Sequence, residues 1–168
     1  IKVGVEPEGI AVSPNNQWVL SASETTNMLH WIDTQTRQIV ENTLVDPRPR
    51  AVSFTADSQQ LWATSEMAGT VMVLDAASKQ ILHTIKLQVQ GLTDEQIQPV
   101  GVVIDQDRRY AYVAMGPANR VAVINAQTYQ VEKYLLVGQR VWNLAFSPDQ
   151  KRLYTTNGVS NDISIIDL

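Results

Sequence analysis

Short apolar runs recur along the chain, each alternating large with small or polar side chains and each closed by a cluster of Pro, Asn, Asp, Ser or Gly. Runs of this length with a period of two are strands, and no stretch keeps the 3.6-residue spacing of an amphipathic helix. The unit is plainest near the end. Leu153-Tyr154-Thr155-Thr156-Asn157 reads as a half-buried strand, Gly158 to Asp162 is turn chemistry, and Ile163, Ile165 and Ile166 resume the apolar run before Asp167. The same unit returns upstream. Asn15 and Asp57 stand 42 residues apart, as do Asp107 and Asp149; Asp57 and Asp107 stand 50 apart, so one repeat carries an insertion. In this register Leu20, Trp62, Tyr112 and Tyr154 share a column, and so do Trp31, Val73, Val123 and Ile165; Ile10, Val52, Val102 and Leu144; and Asp33, Asp75, Asn125 and Asp167.

A period near 42 with four short apolar runs per unit is that of a β-propeller blade. The first unit predicts strands over Gly9–Ser13, Trp18–Ser23, Met28–Asp33 and Gln38–Leu44 (A to D). The whole chain, 1–168, reads as a single all-β domain of about four four-stranded antiparallel blades, with repeats at 3–44, 45–87, 88–136 and 137–168, belonging to a propeller of about seven. Side chains of Pro14-Asn15-Asn16, Ala56-Asp57-Ser58 and Pro148-Asp149-Gln150 are expected to set the A–B turns. The pairs Asp33 with Thr36, Asp75 with Ser78 and Asn125 with Thr128 are expected to set the C–D turns. Asn27, Gly69, Asn119 and Asn161 end the B–C loops and tolerate positive φ. Ile1-Lys2-Val3 aligns with the end of a strand D, and the last unit stops after its strand C. A closed four-blade ring and two chains completing eight blades are the alternatives. Open blade faces and the unpaired strand edge are expected to be association sites.

Composition narrows the function. Apolar residues make up 44%, charged residues 18%, and the net charge is −4. That balance, with no basic stripe, argues against nucleic acid as a partner. No apolar run is long enough for a transmembrane helix. There is no cysteine, hence no thiolate nucleophile or Cys-based metal site. His30 and His83 fall on different strands at different depths, so neither a shared metal nor a Ser-His-Asp constellation follows, and no catalytic residue is assigned. Trp18, Trp31 and Trp62 occupy strand positions and read as core.

Strand A lines the centre of a propeller, which gathers the D–A and B–C loops at one mouth. Glu6, Arg48, Gln98 and Arg140 share one mouth column; Glu8, Arg50, Val100 and Trp142 share the next. Both columns vary in charge and size while the strands around them do not. The candidate binding residues are therefore Arg48, Arg50, Arg140, Trp142, Asn143, Glu24, Glu66 and Arg120. Arginine forks suit carboxylates and stack on aromatic rings, so a small anionic or planar ligand fits, as does a protein partner. The plainer reading is that Arg48 and Arg140 pair with Glu6, Glu24 or Glu66 across blades. The insertion from Gln88 to Gln98 is either a lid or docking loop or a solvated excursion.

Tyr154-Thr155-Thr156-Asn157, with Ala145-Phe146-Ser147-Pro148-Asp149 before it and Gly158-Val159-Ser160-Asn161-Asp162 after it, resembles the repeat of bacterial YVTN β-propellers. The stretches Ser23-Glu24-Thr25-Thr26-Asn27-Met28, Arg48-Pro49-Arg50, Gln98-Pro99-Val100-Gly101-Val102, Gly116 to Val123 and Tyr134 to Trp142 are similar to the propellers associated with catabolism dependent on pyrroloquinoline quinone (PQQ). That resemblance implies seven blades, a periplasmic location and an accessory, non-enzymatic role beside quinoprotein alcohol dehydrogenases, with PQQ as the cofactor at hand. Lactonase propellers share the fold. A hydrolase of that type, with Glu24, Glu66 and Asp162 as acid–base or metal groups, is the alternative.

Overall fold

The computed structural model describes residues 1–168 as fifteen antiparallel strands in four sheets, with no α-helix. The first sheet is β1 (Pro7–Val12), β2 (Trp18–Ser23), β3 (Met28–Asp33) and β4 (Ile39–Leu44). The second is β5 (Pro49–Phe54), β6 (Gln60–Ser65), β7 (Thr70–Asp75) and β8 (Ile81–Lys86). The third is β9 (Pro99–Ile104), β10 (Tyr110–Met115), β11 (Arg120–Asn125) and β12 (Val131–Leu136). The fourth has three strands, β13 (Val141–Phe146), β14 (Arg152–Asn157) and β15 (Asp162–Asp167). Strands pair in chain order within every sheet, which is blade topology.

In the first blade, strands B and C fall on their predicted residues, while strand A starts two residues early. The cause is a β-bulge. Pro7 pairs with Ser23 but Ile10 with Ser21, so β1 spends one residue more than its partner. The same extra residue recurs between Pro49 and Val52, between Pro99 and Val102 and between Val141 and Leu144. A bulge bends its strand and re-aims the side chains on it. Here it acts on the column of Glu8, Arg50, Val100 and Trp142.

The core lies between blades. Trp18, Leu20 and Trp31 of the first pack on Val52, Leu61, Ala63 and Leu74 of the second. Trp31 meets Trp18 and Phe54 edge-on, each at 6.1 Å, and Lys79 Nζ caps Trp18 at 4.4 Å. Trp62, Val71 and Val73 pack on Val102, Val113 and Met115; Tyr112, Val121 and Val123 pack around Leu153 and Phe146. The inner strands touch in sequence, β1 to β5 to β9 to β13, and no packing of similar extent returns β13 to β1. The four blades form an arc, so the closed four-blade ring does not hold. Its flanks are apolar and bare. Ile165 is 63% exposed, whereas its column mates Trp31 and Val73 are fully buried, and Ile10 is 72% exposed.

The turns are locked as their side chains predict. Asp33 Oδ1 accepts from the N–H of Gln35 and of Thr36 and from the Thr36 hydroxyl. Asp75 does the same with the Ser78 N–H and hydroxyl, and Asn125 Oδ1 with the N–H of Gln127 and of Thr128. The A–B turns also stitch neighbouring blades: Asn15 N–H donates to Ser58 Oγ, Arg108 Nη1 to Asp57 Oδ2 and Gln106 N–H to Gln150 Oε1. Ser58, Arg108 and Gln150 all sit at positive φ, which turns their side chains toward the preceding blade.

The Thr36 N–H holds the Asp33 carboxyl below its ordinary range, as the Ser78 N–H does for Asp75. A carboxyl depressed on folding contributes stability above its unfolded value of about 3.9, and loses it as pH falls through the folded value. Asn125 makes the same backbone bonds without a charge. Asp33→Asn with Asp75→Asn is therefore expected to leave the pH 7 melting temperature close to wild type and to flatten its fall below about pH 4; an unchanged acid limb in thermal scans would refute this. The bare flanks predict concentration-dependent self-association of the 168-residue chain. Ile163→Asp with Ile165→Asp is expected to reduce it in sedimentation velocity, and equal sedimentation of both proteins would count against it.

Candidate functional site

The mouth is built by two backbone devices. The first fixes the mouth residue itself. Glu6, Arg48 and Arg140 have φ of 56°, 65° and 55°, a left-handed geometry that a non-glycine residue adopts only when its surroundings impose it. The carbonyl of each accepts from the B–C loop of its own blade: Glu24 N–H to Glu6, Glu66 N–H to Arg48, Gly158 N–H to Arg140. The N–H of Arg48 donates to Asn27 Oδ1 at 3.0 Å, and that of Arg140 to Asn119 Oδ1 at 2.7 Å, each across a blade junction. Asn27 and Asn119 are therefore positioning residues. Their sequence signal is an Asn 21 positions before a mouth residue, where only their tolerance of positive φ is evident from residue type. The second device is the bulge, which turns Glu8, Arg50 and Trp142 toward the channel.

Between the first two blades the charges close on one another. Arg48 Nε lies 2.5 Å from Glu24 Oε1 and 3.3 Å from Glu66 Oε2. Arg50 Nη1 donates to Glu24 Oε2 at 2.5 Å and lies 3.6 Å from Glu8 Oε1, while its Nε is 3.5 Å from Glu66 Oε2. Glu24 and Glu66 are both buried. The cross-blade pairing expected of Arg48 is present. Arg140 makes none of these pairs. Its guanidinium lies over the indole of Trp142, 4.9 Å from the ring centre, with Arg50 at 6.0 Å. Trp142 also rests on Gly158, where a Cβ would come within 2.6 Å of the indole nitrogen; glycine is required there for this close approach.

Arg50, Trp142 and Asn143, with Glu8, Val100 and Leu144, line a cleft of about 390 Å³ in the central channel. Arg120 is not brought there: its Nη1 donates to the Ala118 carbonyl in its own B–C loop. Asp162 is likewise held within its blade, accepting from Asn157 Nδ2 and Ser160 Oγ. No three His, Asp or Glu side chains converge as a metal-ligating group. His30 is a structural acceptor. Gly4 N–H and the Ser23 hydroxyl meet its Nε2, and Nδ1 faces Asn42 Oδ1. His83 stacks on Tyr129 at the outer rim, 3.8 Å between centres.

The insertion is a solvated excursion anchored in the core, with Gln88 and Thr93 to Gln96 exposed, and none of it lines the central cleft. Leu87 and Ile97 are buried in the core between blades two and three, Lys86 Nζ pairs with Asp94 at 3.2 Å, and Gln88 N–H donates to Tyr134 Oη. It packs against Gly69, which stands where the other junctions have the clasping Asn, through Ile97.

Residues 1–164 match the family described as the choice-of-anchor I domain. Two curated relatives are the uncharacterised proteins YncE of Salmonella typhi and of Salmonella typhimurium. Each is 24% identical over 142 residues, 82% of this chain and 40% of the relative. Among solved structures, hydrazine synthase of Kuenenia stuttgartiensis superposes with a TM-score of 0.88 at 22% identity, covering 99% of this chain and 47% of that one. A Bacteroides uniformis protein named as a putative 6-phosphogluconolactonase superposes with a TM-score of 0.80 at 14% identity, covering 96% and 50%. These two share the fold. The chain spans half the length of these proteins or less, and the matches agree with the propeller resemblance without singling out the PQQ-associated group.

The two kinds of arginine separate in a stability measurement. Arg50→Ala leaves buried Glu24 short of a partner and is expected to cost about 2–3 kcal/mol, below the full cost of breaking a buried pair because Arg50 is partly exposed. Arg140→Ala is expected to cost less than about 1 kcal/mol. Urea unfolding of the two variants checks this, and equal losses would contradict it.

Proposed function

The chain belongs to the choice-of-anchor I domain family, and we propose that it is a non-enzymatic propeller that docks a protein partner on its mouth face. The observation that carries this reading is the contrast among the arginines. Arg48 and Arg50 are engaged by buried glutamates, whereas Arg140 lies without an ion pair on a partly exposed tryptophan. Trp and Arg dominate the few residues that carry binding energy at protein interfaces. The ends of the outer strands expose Leu44 and Leu136 and the B–C loops expose Met67 and Val159, apolar side chains suited to the rest of such a contact. Arg48, Arg50, Glu24 and Glu66 give the mouth its shape and charge, and Asn143 offers an amide beside Trp142. Arg120 lies farther out and supports its own loop.

The PQQ-associated resemblance gives the finer form of the proposal: an exported, periplasmic accessory of a quinoprotein alcohol dehydrogenase. PQQ itself, planar and rich in carboxylates, is the small anionic ligand that the Arg140–Trp142 stack would suit. The Bacteroides neighbour's name favours one other reading, a lactonase-type hydrolase using Glu24 and Glu66; against it, both carboxylates already pair with arginines.

The test is calorimetric titration of the protein with a purified quinoprotein dehydrogenase and with PQQ. Binding of the dehydrogenase that falls at least about tenfold in Arg140→Ala and in Trp142→Ala, a loss of about 1.4 kcal/mol, is expected. Unchanged affinity in both variants removes the mouth from the reading. Binding of PQQ alone, lost in Trp142→Ala, makes the site a cofactor site, and metal-dependent turnover of lactones replaces docking with hydrolysis.

A further inference from the structure

We propose that the mouth between the first two blades receives a basic side chain of the partner, an arginine or a lysine, at Glu8. The inference rests on the docking reading above. Three carboxylates, Glu8, Glu24 and Glu66, share two guanidinium groups, Arg48 and Arg50. The sharing is unequal. Glu24 takes the two short contacts, at 2.5 Å each. Glu66 is only 5% exposed, yet its Oε2 accepts no hydrogen bond; the guanidinium nitrogens nearest to it, at 3.3 and 3.5 Å, approach without alignment. Glu8 has one cation within reach, Arg50 Nη1 at 3.6 Å, and that nitrogen already donates to Glu24. One negative charge is therefore left over, and the carboxylate able to present it is Glu8, whose side chain is 46% exposed at the cleft.

The cleft fits the shape of the missing charge. Its other lining includes Val100, Val102, Trp142 and Leu144, an apolar wall along which the methylene stem of a lysine or arginine packs while its head reaches the carboxylate. A neutral side chain would leave the surplus uncompensated, and an acidic one would add to it. With Arg140 over Trp142 and no carboxylate paired to it, the partner is bipolar: a basic group for Glu8 and an acceptor for Arg140. Charges so placed fix the orientation of docking and reject partners of the wrong sign.

Capped pentapeptides with arginine, lysine, norleucine or glutamate between glycines, titrated into the whole chain by NMR at low and physiological salt, test this. The arginine and lysine peptides are expected to bind at least about tenfold more tightly than the other two, and more weakly as salt rises. Glu8→Gln is expected to lower that affinity about three- to tenfold with the melting temperature unchanged, whereas Lys151→Ala, in an A–B turn on the opposite face, leaves peptide binding as it was. Norleucine binding as well as arginine, no binding by any peptide, or indifference to Glu8→Gln each overturns the proposal. Dehydrogenase binding still lost in Arg140→Ala would then leave docking standing and the cation site fallen; peptide binding with a dehydrogenase indifferent to Arg140 and Trp142 would separate them the other way.

Discussion

A sheet of six-residue strands that is apolar on both faces cannot cover itself. Each blade here depends on its neighbour, and the seams decide almost everything else about the molecule. Trp31, Val73 and Val123 stand in one column because each must fill the same gap between splayed sheets, and Ile165 shows the cost of having no neighbour on that side. The stitches on both faces follow from the same need. Turn side chains, asparagine clasps and mouth ion pairs cross the junctions where the apolar contact thins toward the rims. Burial of charge at the mouth belongs with this. Glu24 and Glu66 can lie out of water only because arginines from the second blade reach them, so the polar cluster specifies how two blades meet as well as what the mouth presents.

The mouth is uneven around its arc. Blades one and two supply paired charges, and blades three and four supply glycines at the matching loop positions, Gly116 and Gly158, with Trp142 lying over the latter. One half is polar and braced, the other aromatic and open. Arg140 belongs to the same column as Arg48 yet meets no carboxylate, because the loop beside it carries Gly158 where the second blade carries Glu66. Identical residues in one column thus acquire different roles from a single neighbour.

Much of this was legible before any coordinates. Strands B and C of the first blade follow from alternation and turn chemistry, and the four blades follow from the period. The Asx-type turns at Asp33, Asp75 and Asn125 follow from residue type alone. Strand A did not, because a bulge adds a residue without changing the side-chain pattern around Gly9. The mouth columns were visible as sequence variation, and Glu24 and Glu66 stood among the partners expected of Arg48; that Arg50 shares them and that Arg140 meets no carboxylate were not visible. Pairing depends on where left-handed backbone and a bulge aim each side chain, and neither leaves a mark at residues such as Glu6, Arg48 or Arg140. Ile97 was hidden in a stretch that reads as polar, since one buried isoleucine among ten neighbours carries no periodicity.

The backbone clasp at Arg48 and Arg140 has a consequence for how such a mouth diversifies. The position of each residue is held through its own N–H and C=O, by Asn27 or Asn119 on one side and by the adjacent loop on the other. At Arg140 the side chain takes no part in holding it, whereas the Arg48 side chain also pairs with Glu24 and Glu66. A substitution at Arg140 changes what the mouth offers while the slot stays where it was, so the fourth blade acts as a fixed socket with an exchangeable insert. Recognition in such an arc can drift one insert at a time, with the seams that carry the fold left untouched.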